Sequence, residues 1–301
     1  MKFVTFSHGG ACRAGVLEGD GSGADDQVVD LGSQALRDAI GEVRPQISDI
    51  VASGLGRIAS AIEQARIPAE ARLPLQDVRL VAPIPKPSRI VGAAHNYRDA
   101  IAERGMRPPD EPVIFIKKPE TIVGPGDAVV LPPGIGGVTY EAELAAIIGT
   151  PADNVSEAHA LECVAGYAVF NDISASEMIR ADGNFERGKN LPTFGPFGPF
   201  IATVDEVPDP HALRIGVSVD GEALQESSTS EMLFGIAELV SFISRQVPLA
   251  PGDVIATGTP AGVAPVRKPP TWLRPGTTLR AWVEGLGTLV NPVTEGLRAD
   301  A

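Results

Sequence analysis

Glu141 and Glu143 place two carboxylates in the stretch VTYEAELAAIIG (residues 138–149), which otherwise reads as a buried strand. Side chains alternate along a strand, so the two acids share a face with α-carbons roughly 6.6 Å apart, and both heads can reach one cation. A second apolar run, VAGYAVF (164–170), leads into Asn171 and Asp172 and offers a third carboxylate where a strand gives way to a turn. Three hard oxygen ligands on strand ends suit Mg²⁺, Mn²⁺ or Ca²⁺ better than zinc. An E-x-E pattern alone would equally line a solvated strand face. The run from Leu144 to Ile148, apolar on both faces, implies instead that this strand is covered. Lys189 in isolation is a surface lysine in a proline-broken loop; beside three carboxylates it becomes a candidate to stabilise a developing oxyanion. Thr259, in the TGTP stretch 257–260, could line a site for an anionic substrate where a strand ends in a turn.

The elements around these residues are mostly short strands. KFVTF, RAGVLEGDG and QVVDL open the chain as strands joined by turns; Ser33 can cap a short helix, and residues 46–65 have helical apolar spacing despite their glycines. Prolines recur between Pro68 and Pro87, which places a boundary near residue 80 between a small N-terminal β/helical module (1–80) and a catalytic domain (81–301). RIVGAAHNY (89–97) reads as a strand entering a loop, RDAIAERG as a short helix ending at Gly105, and MRPPDEP as a mobile lid. SASEMIRAD follows Asp172 as one short helix. Asp220-Gly221 marks a hairpin, and Thr229 is placed to cap a long helix, SEMLFGIAELVSFISRQ. Strands outnumber helices without regular β-α alternation, so the fold class is α+β and β-rich.

Length and composition bound the rest. The 301 residues include 33 Gly and 27 Pro, which requires many turns, and 44% apolar content, which suffices for a substantial core. A formal charge of −13 with no Lys/Arg cluster argues against nucleic acid or an anionic membrane as partner. Two cysteines, Cys12 and Cys163, cannot build a disulfide framework, and no apolar run reaches the length of a membrane span; a cytoplasmic protein is the expectation. His8, His95, His159 and His211 are scattered and form no zinc pattern.

Taken together, VGAAHNYRDAIAE, FIKKPETIVGPGD, YEAELAAIIG, VAGYAVFNDISA, GKNLPTFGPFGP, DVIATGTPAGV and WLRPGTTLRAWVEGLGTLVNPV resemble, in order, the fumarylacetoacetate hydrolase family. The resemblance implies a small N-terminal β module followed by a mixed β-roll catalytic domain of fumarylacetoacetase type, assembled as a homodimer. It implies a divalent metal, Mg²⁺ or Mn²⁺, on Glu141, Glu143 and Asp172, with Lys189 and Thr259 contacting the substrate. Three positions depart from the pattern. Hydrolytic members carry N-Y-x-x-H-x-x-E, whose His and Glu together activate water; here Glu103 is present, but the His position is Ala100. His95 could substitute, although it lies five positions away in another part of the loop. An Arg and a Gln that hold substrate in relatives are replaced by Ser176 and Ile179, so the pattern loses a cation and an amide and points to a substrate with an apolar distal end.

Three functions follow. The first is a metal-dependent hydrolase cleaving a C–C bond in a 1,3-dioxo or acylpyruvate-type acid, with Lys189 and Glu103, alone or with His95, as its catalytic groups. The second is a decarboxylase or tautomerase/isomerase of a 2-oxo acid, which uses the same enolate-stabilising site without activated water. The third is a non-catalytic family member. Loss of a general base lowers a step that uses it by about 10²–10⁴, so Ala100 favours the second on mechanism while family frequency favours the first.

Overall fold

The computed structural model describes residues 1–21, 23–41 and 43–297. Among the described residues the strands form a twelve-stranded mixed sheet, a five-stranded sheet and a two-stranded ribbon. The larger sheet runs from Arg72–Pro74 at one edge through Gln27–Asp30 to the hairpin of Ala11–Glu18 and Lys2–His8, closed by Gly9 and Gly10 at positive φ. It continues through Gly195–Thr203, Val164–Asn171, Ala142–Ile148, Val254–Ala256, Ile90–Ala94 and Val113–Lys117. The Lys2–His8 strand joins the central strands directly, with Lys2 opposite Ala202 and Phe3 opposite Ile201. Most pairs are antiparallel, but Val254–Ala256 runs parallel to Ile90–Ala94, which brings the loops after both strands to the same end of the sheet.

Every residue of the Ala142–Ile148 strand is buried, for a reason visible in its two faces. Leu144, Ala146 and Ile148 share a core with Val169 and with Ile215, Val217, Leu279 and Ala281 of the five-stranded sheet. Ala145 and Ile147 pack on the other side in a core with Ala168, Phe170 and the helical residues Leu36, Ile50, Ile58 and Ile62. A strand covered on both faces loses the polar alternation of a half-exposed one. Glu143 is therefore a carboxylate inserted into a covered strand and is only 2% exposed.

Two helical expectations require correction. The 46–65 segment is not one helix but Ile47–Ala52 and Leu55–Gln64, broken at Gly54, whose φ of 89° leaves the helical region. Thr229 does not cap the long helix, which starts only at Ile236 with Gly235 as its N-cap. Thr229 is buried at the head of a 3₁₀ turn, and its hydroxyl accepts from the Leu213 amide at 2.9 Å. The following Met232–Phe234 backbone is drawn out of helical geometry by tertiary hydrogen bonds: Leu233 N donates to Asn96 O (2.7 Å), and Phe234 N donates to the Asn96 side chain (2.8 Å). The Asp220-Gly221 hairpin forms as expected, both residues at positive φ between Arg214–Val219 and Glu222–Ser228. No helix among the described residues is long and apolar enough to cross a membrane.

Candidate functional site

Glu141, Glu143 and Asp172 converge, each offering a carboxylate oxygen within 4.8 Å of the others. Local hydrogen bonds fix Glu141 just before the regular strand begins. Its amide donates to Asn171 Oδ1 (2.9 Å), and its carbonyl accepts from the Asp172 amide (2.9 Å). Glu143 Oε2 accepts from Gly258 N at 2.9 Å. Only glycine serves at 258, where φ is 93° and a Cβ would stand 2.8 Å from Ala93 O and 2.9 Å from Asn96 Cβ. Asn96 holds this approach by donating to Phe234 O (3.0 Å) and Thr257 O (2.8 Å).

Two buried lysines face the acids. The Lys189 ammonium donates to Glu141 Oε2 at 2.7 Å and to Asp172 Oδ2. Lys117, 1% exposed, lies 2.8 Å from Asp172 Oδ1 and donates to the Lys189 carbonyl. The Lys117 contact is ionic but off the hydrogen-bond direction, so buried Asp172 Oδ1 has no aligned donor. Burial alone would push Asp172 up, but Lys117 and Lys189 together hold it below the usual carboxylate range. Burial, followed by Asp172, pushes Glu143 well above that range. Burial opposes the Lys189 charge, yet Asp172 and Glu141 more than offset it and raise its pKa. Burial lowers Lys117. When all three carboxylates are ionised they outnumber the two ammonium groups by one negative charge in a desolvated cluster, which is what holds Glu143 toward its neutral form, and an oxygen of Asp172 lacks an aligned donor. That donor set fits a hard divalent cation.

A cavity of about 360 Å³ opens above Glu141, Glu143 and Lys189. Thr259, Ser176 and Ile179 line it, as do Ala100 and His95, the latter reaching the cavity from the end of the Ile90–Ala94 strand and not from the helix that carries Ala100. Aromatic contacts tie the strand Val113–Lys117 to the segment that leads into Lys189: Phe115 and Phe185 have ring centroids 5.1 Å apart, and Lys189 Nζ lies 5.0 Å from the Phe115 centroid. The Thr259 hydroxyl accepts from Gln225 Nε2 at 2.9 Å. Glu103 is not part of the cavity lining; it is exposed, and its Oε2 accepts from Gly262 N at 2.9 Å.

Sequence reasoning missed Lys117 and Arg104. The signal for Lys117 was present in FIKKP: Phe115 and Lys117 are two apart on one strand, so a charge shares the face of a pocket aromatic. The cation lost at Ser176 has counterparts, because Arg104 and Arg180 line the cavity and make no ion pair among the described residues. Arg98, by contrast, donates to the Met232 and Ser230 carbonyls.

The fumarylacetoacetate hydrolase C-terminal family matches this chain over residues 89–294. A Burkholderia multivorans protein named, by inference, a hydrolase is 39% identical over 289 residues, which are 95% of this chain and 96% of that protein. A similarly named Burkholderia ambifaria protein is 40% identical over 291 residues, with the same coverage. Among solved structures, 5-carboxymethyl-2-hydroxymuconate delta-isomerase from Mycobacterium smegmatis superposes with a TM-score of 0.77 at 32% identity, covering 98% of this chain and all of that one. The 2-hydroxyhepta-2,4-diene-1,7-dioate isomerase from Mycobacterium marinum gives 0.77 at 30% identity, with both chains covered in full. Fumarylacetoacetate hydrolase from Exiguobacterium antarcticum gives 0.81 at 34% identity, covering 98% of this chain and all of that one.

Proposed function

Since this chain belongs to the fumarylacetoacetate hydrolase family, we propose that it is a divalent-metal-dependent enzyme that isomerises or decarboxylates a small 2-oxo acid through its enol form. The observation that carries this choice is the pairing of Ala100 with Glu103. Ala100 is 4% exposed and presents only a methyl group to the cavity, while Glu103 is turned out to Gly262 N. Hydrolysis of a C–C bond needs a water made nucleophilic at the site. Decarboxylation needs only a place to put the charge that develops on the 2-oxo oxygen; isomerisation needs in addition a group or bound water that carries a proton from one carbon to another, but neither needs a water made nucleophilic.

Glu141, Glu143 and Asp172 would hold Mg²⁺ or Mn²⁺, which supplies a Lewis acid for that oxygen. Lys189 remains protonated and adds a second positive group beside it. Lys117 holds Asp172 from behind and ties the Lys189 carbonyl, so both ends of the cluster are fixed before substrate arrives. Phe115, Phe185 and Ile179 give the cavity an apolar wall above its charged floor. Arg180 suits a second carboxylate at the far end of the substrate, in place of the apolar tail expected from Ser176 and Ile179.

The reaction is tested by incubating the Mg²⁺- or Mn²⁺-loaded protein with oxaloacetate, an acylpyruvate and a 2-hydroxydienedioate, following carbon dioxide, carboxylic acid release and the dienol absorbance separately. Acid release from the acylpyruvate as the fastest process would sink the proposal in favour of the second reading. That reading, a C–C hydrolase of 1,3-dioxo or acylpyruvate-type acids, is favoured by the names of the Burkholderia relatives.

The carboxylate assignment has its own test. Arg180→Ala is expected to lower kcat/KM for substrates with a carboxylated tail by about 10- to 150-fold, the worth of a hydrogen bond to a charged group, with little change for apolar tails. Equal losses on both series would remove Arg180 from the substrate's distal end. A homodimer is the assembly the family implies, and sedimentation as a monomer at micromolar concentration would contradict it.

A further inference from the structure

His95 follows the strand Ile90–Ala94 in a left-handed backbone conformation, φ 57°, which turns its side chain toward the cavity while Asn96 is held by three hydrogen bonds. Its Nδ1 lies 3.4 Å from the Arg104 guanidinium. A guanidinium carries only donors, so Nδ1 in this contact must accept, and the single proton of the neutral ring then resides on Nε2. Burial lowers the His95 pKa, and the cations Arg104 and Lys189 lower it further, so the imidazolium is disfavoured from three directions. The ring is packed at a tilt against Phe185, centroids 6.3 Å apart, and Nε2 has no partner among the described residues.

We propose that His95 acts as a neutral hydrogen-bond donor, through Nε2–H, to the substrate oxygen that gains negative charge as the enol forms, and that Arg104 is the positioning residue that fixes this tautomer. The assignment rests on the enol chemistry proposed above and gives His95 the role opposite to a water-activating base, whose acceptor nitrogen would have to face the substrate. A neutral imidazole donor is well matched to a developing enolate because it stabilises charge without surrendering its proton. Arg104 is suited to hold it, since its charge both engages Nδ1 and disfavours protonation there.

The test is nitrogen-15 NMR of the histidine-labelled, full-length protein in Mg²⁺ buffer at about pH 7.5, above the ordinary histidine pKa. The His95 signals are identified by their loss in His95→Gln. We expect the Nε2–H tautomer in the native protein and a mixture of tautomers in Arg104→Met. Oxalate, a planar dianion shaped like the enolate of pyruvate, should shift the Nε2 resonance without changing the tautomer. An Nδ1–H tautomer, an imidazolium, an unchanged spectrum in Arg104→Met, or no response to saturating oxalate each overturns the assignment, whichever 2-oxo acid proves to be turned over. With an active substrate, His95→Leu should lower kcat about 10²-fold, as loss of one oxyanion donor does, and His95→Gln, which keeps an N–H, should recover at least about tenfold of that loss. A His95→Leu enzyme within about threefold of native kcat would equally overturn it.

Discussion

Asp172→Ala is expected to abolish Mg²⁺ or Mn²⁺ uptake measured by calorimetry and to lower folding stability by about 3–5 kcal/mol, because it strips two buried lysines of their shared counter-charge. Lys117 and Lys189 are 1% and 4% exposed, and both contact the Asp172 carboxylate. Glu143→Gln is expected to separate the two effects. It removes a ligand charge and most of the metal affinity, yet in the metal-free protein it should be neutral or stabilising, since Glu143 is a buried carboxylate held well above its ordinary pKa. Metal uptake undiminished in either variant would sink the site.

The same two acids give the stability profile a sign. Asp172 has a depressed folded pKa, so its contribution is present above the unfolded value of about 3.9 and is lost as pH falls through the lower folded value. Glu143 has a raised folded pKa, so its contribution is present below the unfolded value of about 4.3 and is lost as pH rises through the folded value. A divalent cation binds only the ionised triad and compensates Glu143 where it is otherwise unfavourable. The rise in Tm on adding Mg²⁺ should therefore grow as pH rises from the unfolded value of about 4.3 toward the raised folded pKa of Glu143, because proton release accompanies binding over that range. A constant or shrinking increment would show that Glu143 is not among the ligands.

The fold and the convergence of the three acids were legible because they depend on local signals. An alternating E-x-E inside an otherwise apolar strand, and an Asn-Asp at a strand end, mark Glu141, Glu143 and Asp172 before any tertiary information is used. Residues whose roles depend on distant partners were not legible. Nothing near Thr229 shows that Asn96, over a hundred positions away, will take the Phe234 peptide and delay the helix to Ile236. Likewise the sequence separation of Arg180 from Arg104 hides that both line one cavity, so the loss of a pattern arginine at Ser176 pointed to a substrate with an apolar distal end. His95 was visible as a histidine near the site, but its left-handed backbone and its contact with Arg104, one helix further on, decide where the ring points.

Ala100→His is expected to create C–C hydrolase activity toward acylpyruvates, or raise any that exists, by about 10²-fold or more, while leaving isomerisation or decarboxylation within about threefold. Ala100 lies in the short helix Arg98–Glu103 and faces the cavity, so an imidazole there enters the space above the carboxylates and Lys189. Glu103 is three residues on, a spacing that lets helical side chains meet, and it can orient the new ring once released from Gly262 N. The gain should therefore vanish in Ala100→His combined with Glu103→Gln, as a dyad requires. The substitution adds volume at a 4% exposed position beside Ile101, and a modest fall in Tm is expected with it. Glu103→Gln alone decides whether the native site already activates water. A loss of two orders of magnitude in acylpyruvate hydrolysis would show that Glu103 leaves Gly262 and turns inward during turnover, and the reading of this enzyme as one that works without activated water would have to be given up.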